Sequence, residues 1–123
     1  MYVGYELGWS HPVGIGPGQF LFHHPVDPHS TYVRSLAEQG FPGLGLWLAI
    51  VISTLVLALR NVVLGRDTYG IGSGALLGAW CGVVFNSAVV DTLHWRHLWL
   101  LAALIWAGAA MTPRVGRASY DSA

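Results

Sequence analysis

The sequence predicts an all-α integral membrane protein with about three transmembrane helices and a short amphipathic helix on the outer face. Three observations predict it. Only 10% of the 123 residues are charged, where a soluble domain averages about 25%. Hydrophobic residues make up 54% of the chain, and its mean hydropathy is +0.52. The charges are also segregated: none occurs from Gln39 to Leu59, from Thr68 to Val90, or from Leu98 to Pro113. Crossing roughly 30 Å of hydrocarbon takes about 20 mostly apolar residues. The first two stretches reach that length. Trp95 and His97 extend the third into the interface, where Trp is favoured. Spans are therefore expected near residues 43–60, 70–90 and 96–112. Residues 1–42 form an outer loop and short helix, and 113–123 a cytoplasmic tail.

The same composition excludes other classes. Three helices that are apolar all round leave too little polar chain to cover them in a soluble domain. A disordered chain needs low hydrophobicity and high charge. Six arginines, with no lysine, balance six acidic residues. No basic excess marks a nucleic-acid partner. Cys81 is the one cysteine, so no internal disulfide forms.

Arginine placement sets the orientation. Arg60 and Arg66 lie between the first two spans, and Arg114 and Arg117 follow the third. Both segments fall on one side of a three-span chain; the other side carries Arg34 and Arg96. The positive-inside rule places 60–69 and 113–123 in the cytoplasm. All six histidines then lie outside or at the outer boundary. Residues 1–33 contain no Lys or Arg and no apolar run long enough to span, so they do not read as a secretory signal. The expectation is a C-terminal piece of a longer multi-spanning protein, completed by upstream transmembrane helices or a partner membrane protein. The alternative is a genuine small protein whose N-terminal tail crosses unaided.

The outer segment is then read in order. Residues 11–20, His-Pro-Val-Gly-Ile-Gly-Pro-Gly-Gln-Phe, form a tight extended loop open to close backbone approach. The spacing is neither a dinucleotide fingerprint nor a P-loop. His23, His24, Asp27 and His29 invite a zinc reading. Adjacent histidines point apart and Pro25 and Pro28 stiffen the loop, so no metal site and no cofactor are expected. Residues 30–39 read as a short helix capped by Ser30 or Thr31. Gly40 is its stop, and Pro42 prevents simple continuation. Tyr32, Val33, Leu36 and Ala37 form the apolar stripe, and Arg34 can pair with Glu38 on the opposite face. His29 stands at the head of this helix, where the dipole disfavours a protonated imidazole. A neutral histidine there can act as a general base, or merely cap and pack. Asp91, His94, Arg96 and His97 form a second outer turn. It either faces the same cavity as His29 or makes a helix-end ion pair. Gly72, Gly74, Gly78 and Gly82 mark a small-residue face on the second span that allows close helix approach.

Taken together, the Gly-rich loop, His29-Ser30-Thr31-Tyr32, Glu38-Gln39-Gly40-Phe41-Pro42-Gly43 and the 91–99 turn resemble the O-antigen ligase-related family. The resemblance covers about residues 9–110. It rests on loose motifs in a specific order. That family includes ligases and polymerases of bacterial envelope polysaccharide. The resemblance implies a multi-pass glycosyltransferase of the bacterial plasma membrane, with its active face outside. Such an enzyme moves glycan from a polyprenyl diphosphate donor to an acceptor hydroxyl on a glycan or lipid. It implies His29 as the general base, although Ser30 replaces the family's asparagine. It also implies that outer arginines hold the diphosphate. Arg34 and Arg96 are those present, and Asp91 joins them as a substrate-binding residue. The family's earlier arginine loops are absent. The competing class is a small non-catalytic membrane protein packing on a partner through its glycine face. The purified chain alone is expected to transfer no glycan; transfer without any other subunit overturns the fragment reading.

Overall fold

The computed structural model describes residues 2–23 and 29–111, which are mostly helical. The order is α1 (Tyr2–Ser10), α2 (Phe20–His23), α3 (Thr31–Val63), β1 (Asp67–Thr68), β2 (Ile71–Gly72), α4 (Ser73–Asn86) and α5 (Arg96–Ala110). The predicted tail, with Arg114 and Arg117, lies outside the described residues.

Helix α3 consists of two arms, named outer (31–39) and inner (41–63) only after the topology expected from sequence, that meet at Gly40, whose φ of 68° and ψ of −163° are non-helical. This backbone region is essentially confined to glycine. Pro42 follows at the start of the second arm, where its missing N–H costs nothing. The helix stop expected at Gly40 is therefore present, but the chain resumes a helix at once. The Gly-rich loop closes the break. Ile15 N donates to Ala37 O at 3.0 Å, Gly16 N to Glu38 O at 2.9 Å, and Phe41 N to Pro12 O at 2.9 Å. Carbonyls left open at the end of the outer arm are thus satisfied by another segment. The two backbones touch: a Cβ on Gly14 would meet Glu38 O, and one on Gly40 would meet Pro12 O.

The outer arm, residues 31–39, is buried beyond its expected apolar stripe. Val33, Ser35, Leu36, Ala37 and Glu38 are all buried. One cause is α1, a helix where a loop was expected. Gly4 and Gly8 face the outer arm so closely that added Cβ atoms would strike Val33 and Leu36. Packing at this helix–helix contact outweighs the poor helix propensity of glycine.

The inner arm, residues 41–63, rises about 34 Å. Among the described residues α3 is the one helix long and apolar enough to cross a membrane, and 28% of its apolar window is buried. The 14 residues of α4 and 15 of α5 rise only about 21 and 22 Å. Both are shorter than the expected spans. At the start of α4, residues 67–72 form a hairpin, with Asp67 paired to Gly72 and Thr68 to Ile71. Its corner residues Tyr69 and Gly70 both have positive φ, as a two-residue hairpin turn requires. After α4, residues 87–95 leave the helix for a polar turn.

The three helices share one core: Trp47, Val51 and Ala58 from α3, Leu76 and Trp80 from α4, and Leu98, Ala102 and Ile105 from α5. At the inner end, Arg66 Nη1 donates to Ala109 O at 2.6 Å, and Asn61 Nδ2 to Ile105 O at 2.9 Å. Arg66 thus also caps the C-terminus of α5, where a cation is favoured.

Gly40→Ala is expected to destabilise the fold by about 2 kcal/mol or more, since the conformation is strained and the Cβ meets backbone. Gly45, which has open space around it, serves as control: Gly45→Ala should change stability by less than about 1 kcal/mol. Unfolding followed by circular dichroism in micelles compares the two, and equal effects would remove the claim for Gly40.

Candidate functional site

The outer end is held by hydroxyl groups and one ion-pair network. Thr31 opens α3 and is fully buried. Its backbone N donates to Ser87 O at 3.0 Å, and its Oγ1 accepts Thr92 N at 2.8 Å. Ser87 Oγ donates to Val83 O at 2.8 Å and lies against Thr92 Oγ1. Tyr32 OH donates to Val84 O at 3.2 Å. Burial pushes the Tyr32 phenol above its ordinary pKa, so it stays a donor. These bonds tie the head of α3 to the 87–92 turn and fix what surrounds it.

Arg34 lies one turn further along, on the face towards that turn. Its Nη1 donates to Asp91 Oδ2 at 2.8 Å, and its Nε lies 3.5 Å from Glu38 Oε2. Asp91 is further held by Leu93 N at 3.2 Å, and its Oδ2 lies 3.3 Å from His94 Nδ1. The expected Arg34–Glu38 pair is present, but Asp91 is the nearer carboxylate. One guanidinium faces two carboxylates, so its charge is already offset. Such charge-assisted bonds in a poorly hydrated site are stronger than their surface counterparts.

A cavity of about 350 Å³ opens beside this network. Arg34, Ser35, Glu38, Gln39 and His94 wall it, closed on one side by Pro17 and Gly18 of the Gly-rich loop. Three segments distant in sequence thus contribute to one layer: the Gly-rich loop, the outer arm with its Gly40 corner, and the 91–94 turn.

The sequence-predicted residues separate into two groups. Arg34 and Asp91 meet directly, and Arg34 lines the cavity. His29 is exposed, one residue before the N-cap Ser30, and is not among the cavity-lining residues. Ser30 is the N-cap by position but makes no side-chain capping bond. Arg96 is exposed as the first residue of α5. The ion pair of Asp91 is made with Arg34 and not with Arg96. The histidine-rich stretch considered for zinc falls largely on residues 24–28, outside the described residues. Among the described residues, no group of three His, Cys, Asp or Glu side chains could hold a metal ion.

Sequence reasoning missed the hydroxyl cluster of Thr31, Ser87 and Thr92 and the burial of Glu38. Its available signal was the polar run Ser87 and Asp91–Thr92 at the edge of an apolar span. No family model matches the chain, and no curated protein or solved structure does either.

A double-mutant cycle on Arg34→Ala and Asp91→Ala should give a coupling of about 2 kcal/mol in stability, since the pair is part-buried and joins elements far apart in sequence. Coupling below about 0.5 kcal/mol would reduce the pair to a surface contact.

Proposed function

We propose that the chain is the C-terminal part of a membrane glycosyltransferase of the O-antigen ligase or polymerase kind. The observation that carries the reading is the convergence of the motifs that resemble that family. The Gly-rich loop, the helix behind His29, the Glu38–Gly40 corner and the Asp91 turn belong to one layer at one end of the helices, around one cavity. Motifs kept in order for unrelated reasons need not converge.

The membrane placement has its own support. The apolar window of α3 is only 28% buried, where the core helix of a soluble domain is mostly buried. Leu46, Ile52, Val56 and Val63 stand 56–84% exposed along it. In this reading, lipid or further transmembrane helices cover them. Helices α4 and α5 complete a three-span bundle by adding their flanking residues. Arg60 and Arg66 mark the cytoplasmic end, and the cavity faces outward. The protein is then a multi-pass protein of the bacterial plasma membrane.

The chemistry is a single displacement at the anomeric carbon of a glycan carried on polyprenyl diphosphate. The acceptor oxygen forms a bond to that carbon, the bond from carbon to the diphosphate oxygen breaks, and the diphosphate leaves with the electron pair. The acceptor hydroxyl loses its proton to His29. The diphosphate is a good leaving group, so no covalent enzyme intermediate is required. Arg96, exposed on the outer side, is the arginine available for donor charge. Arg34, already offset by Asp91 and Glu38, serves chiefly to position the site.

One observation favours the non-catalytic reading. Added Cβ atoms on Gly74, Gly78 and Gly82 would meet nothing within 4 Å, so the expected small-residue face is open to a partner helix. Activity separates the two. In the intact protein, His29→Ala should lower glycan transfer by about 100-fold or more, the usual share of a general base, with membrane expression unchanged. Unaltered transfer would make His29 structural.

A further inference from the structure

Trp9, near the end of α1, is 73% exposed, and its ring meets Phe41 edge-on with centroids 5.5 Å apart. Phe41 is itself 44% exposed. The Gly-rich loop brings a third apolar side chain to this corner. A Cβ on Gly40 would touch the Val13 backbone, and Val13 is 79% exposed. Packing within the chain thus leaves apolar side chains from α1, the loop and α3 uncovered together. Such a cluster marks an interaction surface.

Two observations say what covers it. The first is register. Phe41, Leu48, Ile52, Val56 and Leu59 recur at helical spacing on one face of the inner arm, and all are exposed. The stripe begins at the Trp9–Phe41 pair and ends beside Arg60, which is also exposed. From Phe41 to Arg60 the helix rises about 29 Å, close to the roughly 30 Å hydrocarbon thickness of a bilayer. Tryptophan gathers where hydrocarbon meets headgroups, and arginine marks the cytoplasmic side. Trp9 therefore stands at one boundary and Arg60 at the other. A protein partner would impose no such register.

The second observation is depth. The outer arm does not stand away from the bundle but folds back beside it. Near its head, the Tyr32 ring lies 6.4 Å from the Trp47 ring, and Tyr32 OH donates to Val84 O at 3.2 Å. Trp47 is about 9 Å along the inner arm from Phe41. Helix α1 follows the outer arm, with Gly4 against Val33 and Gly8 against Leu36. It therefore lies alongside the first two turns of the inner arm, at the edge of the hydrocarbon. Its exposed residues form two rows, Tyr5 with Trp9 and Glu6 with Ser10, each pair one turn apart. An aromatic row beside a polar row suits a helix lying in the membrane interface.

We infer that α1 and the Gly-rich loop form an interfacial anchor, with Trp9, Val13 and Phe41 seated against lipid at the bilayer boundary opposite Arg60. The anchor rests on the membrane placement of α3 and not on the transferase reading. It also holds the loop, and with it one wall of the cavity, at the lipid surface.

The test uses the whole chain in phosphatidylcholine bilayers, with its six tryptophans replaced by a fluorinated tryptophan. Fluorine NMR then gives one resonance per ring, and Trp9→Phe and Trp106→Phe identify two of them. Three quenchers are compared: a lipid with a nitroxide near its headgroup, a lipid with a nitroxide at its chain end, and a water-soluble gadolinium chelate. Trp9 should lose most intensity to the headgroup-level nitroxide. Trp106, exposed on α5 and bonded to Thr54 well inside the stripe, should lose most to the chain-end nitroxide. Loss mainly to the chelate would put Trp9 in water. Resistance to all three quenchers would place it under protein, a second copy included. Either result overturns the anchor while Trp106 still reports the membrane. A Trp106 quenched mainly by the chelate removes the membrane placement itself, and the anchor with it. Should Trp9→Phe not fold, a nitroxide on Val13→Cys in a Cys81→Ser chain takes its place. Oxygen should relax that label more than a nickel chelate does, and the reverse order overturns the inference.

Discussion

The outer half of the molecule depends on a contact between two stretches of bare backbone. Gly14 and Gly40 lie where the Gly-rich loop crosses the corner of α3, and neither position has room for a side chain. At that crossing the loop donates to the carbonyls of Ala37 and Glu38, and Phe41 donates back to Pro12. Breaking a helix leaves unsatisfied backbone groups, and burying them unpaired would be costly. Here the loop supplies the missing partners. The break at Gly40 and the position of the loop are therefore one structural fact, and each makes the other tolerable.

Once the corner is fixed, the outer arm is held on several sides. Helix α1 lies on Val33 and Leu36, the loop covers the far end, and the 87–92 turn meets Thr31 and Arg34. Burial then decides the chemistry. In water, a guanidinium and two nearby carboxylates would interact weakly. In this layer the same groups are held together, and the charge of Arg34 is used within the protein. Arg34 thereby becomes part of the scaffold that walls the cavity.

The inner half is governed by a different balance. Trp47, Trp80, Leu98 and Ile105 fill the centre of the α3–α4–α5 bundle, yet large apolar side chains also cover much of its exterior. Exposed apolar surface on this scale marks an interface with lipid or protein. The polar anchors sit at the ends, with Arg66 on α5 and the hydroxyl cluster at the head of α3. Between them the interior is mostly apolar, with buried Thr54 Oγ1 accepting from Trp106 Nε1 at 3.0 Å.

Much of this was legible from sequence alone. Charge-free stretches determined that the chain is helical and strongly apolar. Ser30 or Thr31 marked the start of α3 and Gly40 its break, because caps and positive φ are set by local sterics; Pro42, read as preventing continuation, stands instead in the first turn of the second arm. The Arg34–Glu38 pair was visible for the same reason, being one helical turn long. Helix α1 was not visible, because Gly4 and Gly8 disfavour a helix until Val33 and Leu36 pack against them. Nor was the shortening of α4, which depends on the 67–72 hairpin and on hydroxyls that find partners at Thr31. Only tertiary structure joined Arg34 to Asp91, buried Glu38 and set His29 apart from the cavity. The Arg34–Asp91 contact spans 57 residues and the loop meets Glu38 from Gly16; no local propensity encodes such contacts, which follow from how the loop and turn close over one bent helix.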